Sequence, residues 1–341
     1  MPSPRLVFVV SSPRSGSTML ERMLEAHSQI AGGPEPHLMT PMAHLGLWDR
    51  VTRAPYDAEH TAHAIRTFAD SLPEGETDYY RACRAYADTL YGKFLEATGK
   101  PVCLDKTPAY ALVAPFLAKV YPDARFVVLT RHPFATFSSF ANSFFDGDYE
   151  VAQRYNPLLN RYVPALAGFL RDHAAPIFHV RYEDLVLDPG SWMARIHAHI
   201  GVPHEAETVN YGQKKRPATA KKGLGDPIGV KKHVRPTDAS IEKWAGELLH
   251  DERKRAFMKQ IVEELDASDL VTLGYPKETL WEPLERAKEA GTPPPEKDKL
   301  TRYRLQRKVI VRLRGLAQRS GPVRACIGTA RAACEALLEG H

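Results

Sequence analysis

The feature that most constrains this chain is Leu6-Val-Phe-Val-Val-Ser-Ser-Pro-Arg-Ser-Gly-Ser-Thr18, an apolar run of β character that breaks into a loop of small residues and opens a helix at Met19-Leu20-Glu21. A strand feeding a tight loop aims several backbone N–H groups, and the positive end of the next helix, at one point. An anion placed there gains hydrogen bonds and dipole energy together. Ser15, Gly16, Ser17 and Thr18 contribute small side chains and hydroxyls, and Arg14 adds a guanidinium fork suited to phosphate or sulfate oxygens. The nucleoside triphosphatase loop carries a lysine just before its Ser/Thr. Here Gly16 holds that position, which disfavours a magnesium-triphosphate user and leaves an anion cradle built around Arg14. The competing reading is an ordinary strand, a serine-rich turn and a capped helix.

With 341 residues, the chain has room for one large α/β domain and a sizeable core. No apolar run approaches the roughly 20 residues of a bilayer span, and Met1-Pro-Ser-Pro-Arg5 lacks a signal-peptide pattern, so a cytoplasmic protein is expected. Cys83, Cys103, Cys326 and Cys334 form no C-x-x-C pair and read as reduced, mostly buried thiols. A net charge of +5 suits anionic ligands but is too mild to argue for nucleic acid, which is not expected as a partner. The fourteen histidines include no H-E-x-x-H, and no metal is expected.

After a first helix over Ser17 to His27, the turn-rich Gln29-Ile-Ala-Gly-Gly-Pro-Glu35-Pro-His37 returns the chain toward the mouth of the loop. Helices are predicted over Ala58 to Asp70 and Tyr79 to Thr98, the second with Tyr86, Leu90, Phe94 and Leu95 at helical spacing. Buried strands are predicted at Pro101 to Asp105, Ala124 to Thr130 and Ile177 to Arg181. Strands alternating with helices imply a three-layer, P-loop-like α/β fold, with a central mostly parallel sheet flanked by helices. Ligands of such sheets sit beyond the strand C-termini, where the loops after Val10, Asp105, Thr130 and Arg181 gather.

Two further pieces sharpen the first. Arg131-His-Pro-Phe-Ala-Thr-Phe-Ser-Ser139 runs from a strand end into a helix, and Arg131 and Ser139 reach one phosphate if the arginine precedes the helix start. Lys221-Lys-Gly-Leu-Gly-Asp-Pro227 is a basic glycine loop able to close over that phosphate, inside a long loop from Tyr211 to Arg235. Two separated anion sites fit a nucleotide with phosphates on its 5′ and 3′ sides, the shape of 3′-phosphoadenosine 5′-phosphosulfate (PAPS).

In this combination the chain resembles the PAPS-dependent sulfotransferases over residues 6 to 275. Pro13-Arg14-Ser15-Gly16-Ser17-Thr18 is similar to their 5′-phosphosulfate loop, Arg131 with Ser139 to their 3′-phosphate motif, Arg181-Tyr-Glu-Asp-Leu185 to a further signature, and Lys222-Gly223 to their late basic glycine loop. Arg14 stands where the cytosolic small-molecule branch usually has lysine, and Pro227-Ile228 departs from its pattern. The likeness is therefore to the bacterial, carbohydrate-modifying and tyrosyl-protein branches, and the Pro34-Glu-Pro-His37 turn is similar to one in polyketide-type sulfotransferase domains.

The resemblance implies in-line sulfuryl transfer from PAPS to a hydroxyl on a lipid, a glycan, a carrier-bound acyl chain or a secondary metabolite. Positioning and charge stabilisation carry most of the acceleration in such a loose transition state. Arg14 and the Ser15 to Thr18 amides are assigned to the 5′-phosphate, and Lys106 to the bridging or sulfuryl oxygens, against the alternative of a surface lysine at a strand end. Glu35 resembles the catalytic glutamate of the tyrosyl-protein branch, with His37 and His44 as competing bases. Tyr79, Tyr80, Trp48, Phe144 and Phe145 line an acceptor pocket or belong to the core. A P-loop kinase and a non-catalytic nucleotide- or glycan-binding protein are the alternatives from other classes.

The sulfotransferase domain is expected over residues 1 to 290, followed by a Pro-rich linker and a basic amphipathic tail over 291 to 341. In the tail, Leu305, Val309, Leu313 and Leu316 share one helical face, and Arg304, Arg307, Lys308 and Arg314 the other. Such a helix packs on its own domain, or docks an acidic carrier protein or an anionic membrane surface and makes the protein peripherally membrane-associated.

Overall fold

The computed structural model describes residues 4–33, 35–45, 47–48, 58–213 and 234–294, with scattered positions from 320 to 329. The expected glycine loop with Lys222 and Gly223, and the tail helix, lie outside the described residues. Among those described, the strands are β1 (Arg5–Ser11), β2 (Ile30–Ala31), β3 (Val102–Lys106), β4 (Arg125–Thr130) and β5 (Ile177–Arg181). They form one sheet in the order β2-β3-β1-β4-β5, every pairing parallel.

The helices that frame the sheet begin with α1 (Ser17–Glu25), α2 (Met39–Ala43), α3 (Ala58–Asp70), α4 (Glu76–Thr98), α5 (Ala114–Val120) and α6 (Pro133–Phe145). They continue with α7 (Tyr149–Tyr155), α8 (Leu158–Asp172), α9 (Tyr182–Leu187) and α10 (Pro189–Ile200), and end with α11 (Lys243–Leu249), α12 (Glu252–Glu263), α13 (Ala267–Thr272) and α14 (Glu282–Glu289). None among the described residues is long and apolar enough to cross a membrane.

Because side chains alternate across a strand, the central strand feeds two cores at once. Leu6, Phe8 and Val10 of β1 join Phe126 and Val128 of β4 on one face, under α4, α5 and α8. Val7 and Val9 join Val127 and Leu129 on the other, under α1 and α10. The near-continuous apolar strands read from the sequence are therefore those of a sheet covered on both sides. Cys83 and Cys103 are buried free thiols, whereas Cys326 is exposed.

In α4 the apolar positions that give the helix its spacing are not its buried face. The apolar positions Tyr86, Leu90 and Phe94 of α4 are exposed, and the buried face is Tyr80, Cys83, Ala87 and Tyr91. A polar anchor fixes this rotation. Asp105 of β3 is fully buried and accepts hydrogen bonds from the Tyr91 hydroxyl at 2.6 Å and the Tyr110 hydroxyl at 3.0 Å. The helix must present Tyr91 to that carboxylate, and Tyr91 and Tyr80 then pack edge-on against Tyr121 and Phe116.

Burial pushes the Asp105 carboxyl up to about 6, against the pull of the two hydroxyls. A carboxyl whose native pKa exceeds its unfolded value favours the fold most at acid pH and loses that contribution as pH rises through the native pKa. Tyr91→Phe removes one donor and is expected to destabilise the protein by about 1–3 kcal/mol. Urea unfolding should show a larger loss at pH 8, where Asp105 is ionised, than at pH 4.

Candidate active site

The parallel register delivers the functional loops to one edge. Val9 pairs with Lys106, Ser11 with Leu129 and Thr130 with Arg181, so the chain leaves β1, β3, β4 and β5 at neighbouring points. Beyond β1 the loop turns through two left-handed residues, Arg14 at φ 69° and Gly16 at φ 96°. Ser15 Oγ donates to the Ser12 carbonyl at 2.8 Å and closes the turn. Gly16 is the N-cap of α1, and no side chain caps that end, which leaves the first-turn N–H groups without a side-chain acceptor.

Gly16 has no room to be anything else. A Cβ there would lie 2.5 Å from the ring of Tyr182, the residue that opens α9. The lysine of a triphosphatase loop is thus excluded twice, by backbone conformation and by the ring. The same ring carries Arg131, whose guanidinium lies 4.4 Å from its centroid. Arg131 donates to the Arg14 carbonyl at 3.0 Å and to the Ser240 carbonyl at 2.6 Å, and its buried Nε has no protein partner.

Ser139, two turns into α6, accepts from Arg14 Nε at 3.2 Å. The structure therefore brings together Arg14, Arg131 and Ser139, and it joins the two expected phosphate motifs through Arg14. The α6 helix that carries Ser139 starts cleanly, with His132 as side-chain cap and Pro133 in its first turn.

The Arg181-Tyr-Glu-Asp signature is a brace. Arg181 forks onto Asp184 at 2.8 and 2.7 Å and reaches the Gly274 carbonyl at 3.1 Å. Glu183 accepts from the His132 amide at 3.1 Å and from the Tyr275 hydroxyl at 2.5 Å, which fixes the turn after β4.

Lys106 is not the surface lysine of the competing reading: its side chain is 1% exposed. As the last residue of β3 it shares a face with Val102 and Leu104 and points toward α1. There its ammonium lies 2.6 Å from Glu35 Oε1 and 3.1 Å from Glu21 Oε2. Burial works against the charge, but the two carboxylates outweigh it and leave the Lys106 pKa above its ordinary value.

Glu35 is 11% exposed, and its other oxygen lies 3.6 Å from His37 Nε2, on a half-exposed ring. His37 adopts a left-handed φ of 51° to stand there. His44 is exposed at the end of α2.

Glu21 is the residue the motif reading missed. Burial drives its carboxyl up to about 8 even beside the Lys106 ammonium. The available signal was a charged residue among Leu20, Met23 and Leu24 on the core face of α1.

The aromatic candidates separate. Tyr80 and Phe145 are core, and Tyr79 and Trp48 pack against it. Phe144 is exposed, with the Arg14 guanidinium 5.9 Å from its centroid. Among the described residues, no group of three His, Cys, Asp or Glu side chains is arranged to hold a metal ion.

A helix end without a side-chain cap behind a glycine turn, a second guanidinium beside it and a buried lysine against a carboxylate together suit an anionic ligand. Comparison with known proteins gives the class its name. A model of the sulfotransferase family matches residues 4–206, and the chain belongs to that family as a PAPS-dependent sulfotransferase.

Nodulation protein NoeE of Sinorhizobium fredii is 29% identical over 326 residues, 89% of this chain and 72% of that protein. Protein-tyrosine sulfotransferase A of Caenorhabditis elegans is 22% identical over 268 residues, and the match spans 72% of this chain and 62% of that protein. Among solved structures, the sulfotransferase domain of the curacin biosynthetic pathway aligns with a TM-score of 0.49 at 23% identity, over 86% of this chain and 99% of that domain.

Gly16→Ala is expected to strain the left-handed turn by about 1–2 kcal/mol and to push the loop away from Tyr182. Thermal unfolding should show a lower Tm, and calorimetry should show weakened binding of 3′,5′-adenosine bisphosphate (PAP).

Proposed function

We propose that the joined loops clamp both ends of PAPS and that Glu35 is the general base that activates the acceptor hydroxyl. The observation that carries this reading is the contact of Glu35 with Lys106 at 2.6 Å, a carboxylate and a cation held together at the sheet edge where the chain leaves β1 and β3. In this reading the loop from Pro13 to Thr18 acts as the phosphate loop of a P-loop-like fold. The Ser15, Gly16, Ser17 and Thr18 amides and the α1 dipole hold the 5′-phosphate. Arg131 and Ser139 hold the 3′-phosphate, and Arg14, bonded to Ser139, ties the two sites together. The buried Arg131 Nε without a partner supports an anion there, because a guanidinium donor left unmade in a protein interior is costly.

Transfer then follows in line. The acceptor oxygen loses its proton to Glu35 and attacks sulfur, the bond from sulfur to the 5′-phosphate oxygen breaks, and PAP leaves. Lys106 neutralises charge growing on the bridging oxygen in a dry setting, where such stabilisation is strongest. His37 receives the proton from Glu35 and passes it to solvent, a role suited to its exposed ring. No step needs a metal, since cations of the chain already face the leaving phosphate.

The acceptor is a hydroxyl, as it is on the tyrosine in the name of the Caenorhabditis elegans relative, and its larger frame is a lipid, glycan, carrier-bound acyl chain or secondary metabolite. The basic tail from Lys297 to Arg331 would bring an acidic carrier protein or an anionic membrane surface to the site.

Glu35→Ala is expected to lower kcat by about 10²–10⁴ and to retain PAP binding. Single-turnover kinetics paired with calorimetry checks this. Loss of PAP affinity with an intact chemical step would remove Glu35 from the role of base.

A further inference from the structure

The Lys106 ammonium has two carboxyl partners, and the mechanism above uses one. Glu21 is the other, 3% exposed on α1 and 3.1 Å from Lys106 Nζ. We propose that Glu21 is a positioning residue that works as a neutral acid: its uncharged carboxyl holds the Lys106 ammonium in place and leaves Glu35 as the sole counter-charge. This inference rests on the sulfuryl-transfer reading of the site.

The geometry favours that division of charge. Glu35 is closer to the ammonium, at 2.6 Å, and has more contact with water, at 11% exposure. Glu21 is enclosed by the core side chains of α1 and β3 and faces two other carboxylates, Glu25 one turn on and Glu35 across the lysine. A single buried cation balances one carboxylate, and a second anion in the same enclosure would stand uncompensated. Burial raises the Glu21 pKa from 4.5 to about 8, in agreement with that balance.

Three elements besides its own helix turn contribute the groups that face it. On α1 it has Glu25; on β3, Lys106; on the turn before α2, Glu35 with His37 on its far oxygen. The 3-10 segment Ala206–Gln213, which packs on α1, places Tyr211 under Arg22, with the guanidinium 4.4 Å from the ring centroid.

The neutral state has a chemical use. While Glu21 is protonated, the triad of Lys106, Glu35 and Glu21 is neutral overall, and the ammonium keeps its positive field for the sulfuryl oxygens. Once Glu21 ionises, it draws the ammonium toward α1 and adds negative charge beside an anionic donor. Turnover therefore falls on the alkaline side as Glu21 loses its proton. Lys106 itself does not set that limb, because its own pKa lies above the ordinary lysine value.

The sign for stability follows from the same shift. Between pH 4.5 and about 8 the native state holds a proton that the unfolded chain has released, so this site costs the fold progressively more as pH rises.

The test compares wild type, Glu21→Gln and Glu21→Leu by thermal unfolding from pH 5 to pH 9 and by hydrolysis of PAPS, with water as the acceptor. Glu21→Gln, a permanent stand-in for the neutral acid, should come close to wild type in Tm at pH 5 and exceed it increasingly up to about pH 8, with the gap level from there to pH 9. Its PAPS hydrolysis should persist to pH 9, where wild type drops about tenfold from its plateau for a group with a pKa near 8. Glu21→Leu, which cannot hold the ammonium, should lose hydrolysis at every pH. Parallel Tm curves for wild type and Glu21→Gln would overturn the proposal, as would a Glu21→Gln variant as inactive at pH 7 as Glu21→Leu. A Tm gap that opens with pH while no variant consumes PAPS supports the neutral state of Glu21 and contradicts the sulfuryl-transfer reading instead.

Discussion

An ammonium group buried at the end of a parallel strand governs much of this molecule. Taking a lysine charge out of water costs several kcal/mol after relaxation, and the cost is met only when counter-charges arrive with good geometry. Lys106 receives a counter-charge from Glu35 and a second carboxyl from Glu21, from two directions that no local sequence rule connects. Glu21 comes from the helix after the anion loop, and Glu35 from the turn that returns from that helix. Holding this one charge therefore pins β3, α1 and the turn before α2 to one another. The enclosure that makes the pinning necessary also keeps the cation strong toward a bound anion.

The second organising contact is the ring of Tyr182. It presses on Gly16 from one side and carries Arg131 on the other element, so that the anion loop and the turn after β4 share one support. Arg14 completes the connection by bonding Ser139 through its side chain and Arg131 through its carbonyl. The two loops proposed to hold the phosphates are thus one mechanical unit. That arrangement suits a donor whose two phosphates sit on one nucleoside, since a fixed spacing between subsites is what selects it from nucleotides with a single phosphate cluster.

Much of this was legible in the chain. Strands β1, β3, β4 and β5 announced themselves as short apolar runs because both of their faces are buried, and their shared C-terminal edge followed from the parallel crossovers. The cradle was readable because its glycine, serines and arginine are adjacent in sequence. What sequence hid was long-range. The buried face of α4 could not be read from its spacing, because periodicity reports apolarity, whereas the helix turns to satisfy the buried Asp105 through the Tyr91 hydroxyl. Glu21 was passed over because its partner lies across the sheet on β3, and Lys106 was legible as a candidate but not as a buried one. The role of Tyr182 within Arg181-Tyr-Glu-Asp was likewise invisible until Gly16 stood against its ring.

A clamp with two phosphate sites at a fixed spacing is measured most directly by calorimetric binding of PAP beside 5′-AMP and magnesium-ATP to the full chain. PAP should bind far more tightly than 5′-AMP, which reaches only the amides of the Pro13 to Thr18 loop, and magnesium-ATP should show no advantage over 5′-AMP. Equal affinity for PAP and 5′-AMP would contradict the joined sites, and a preference for magnesium-ATP would contradict the donor itself.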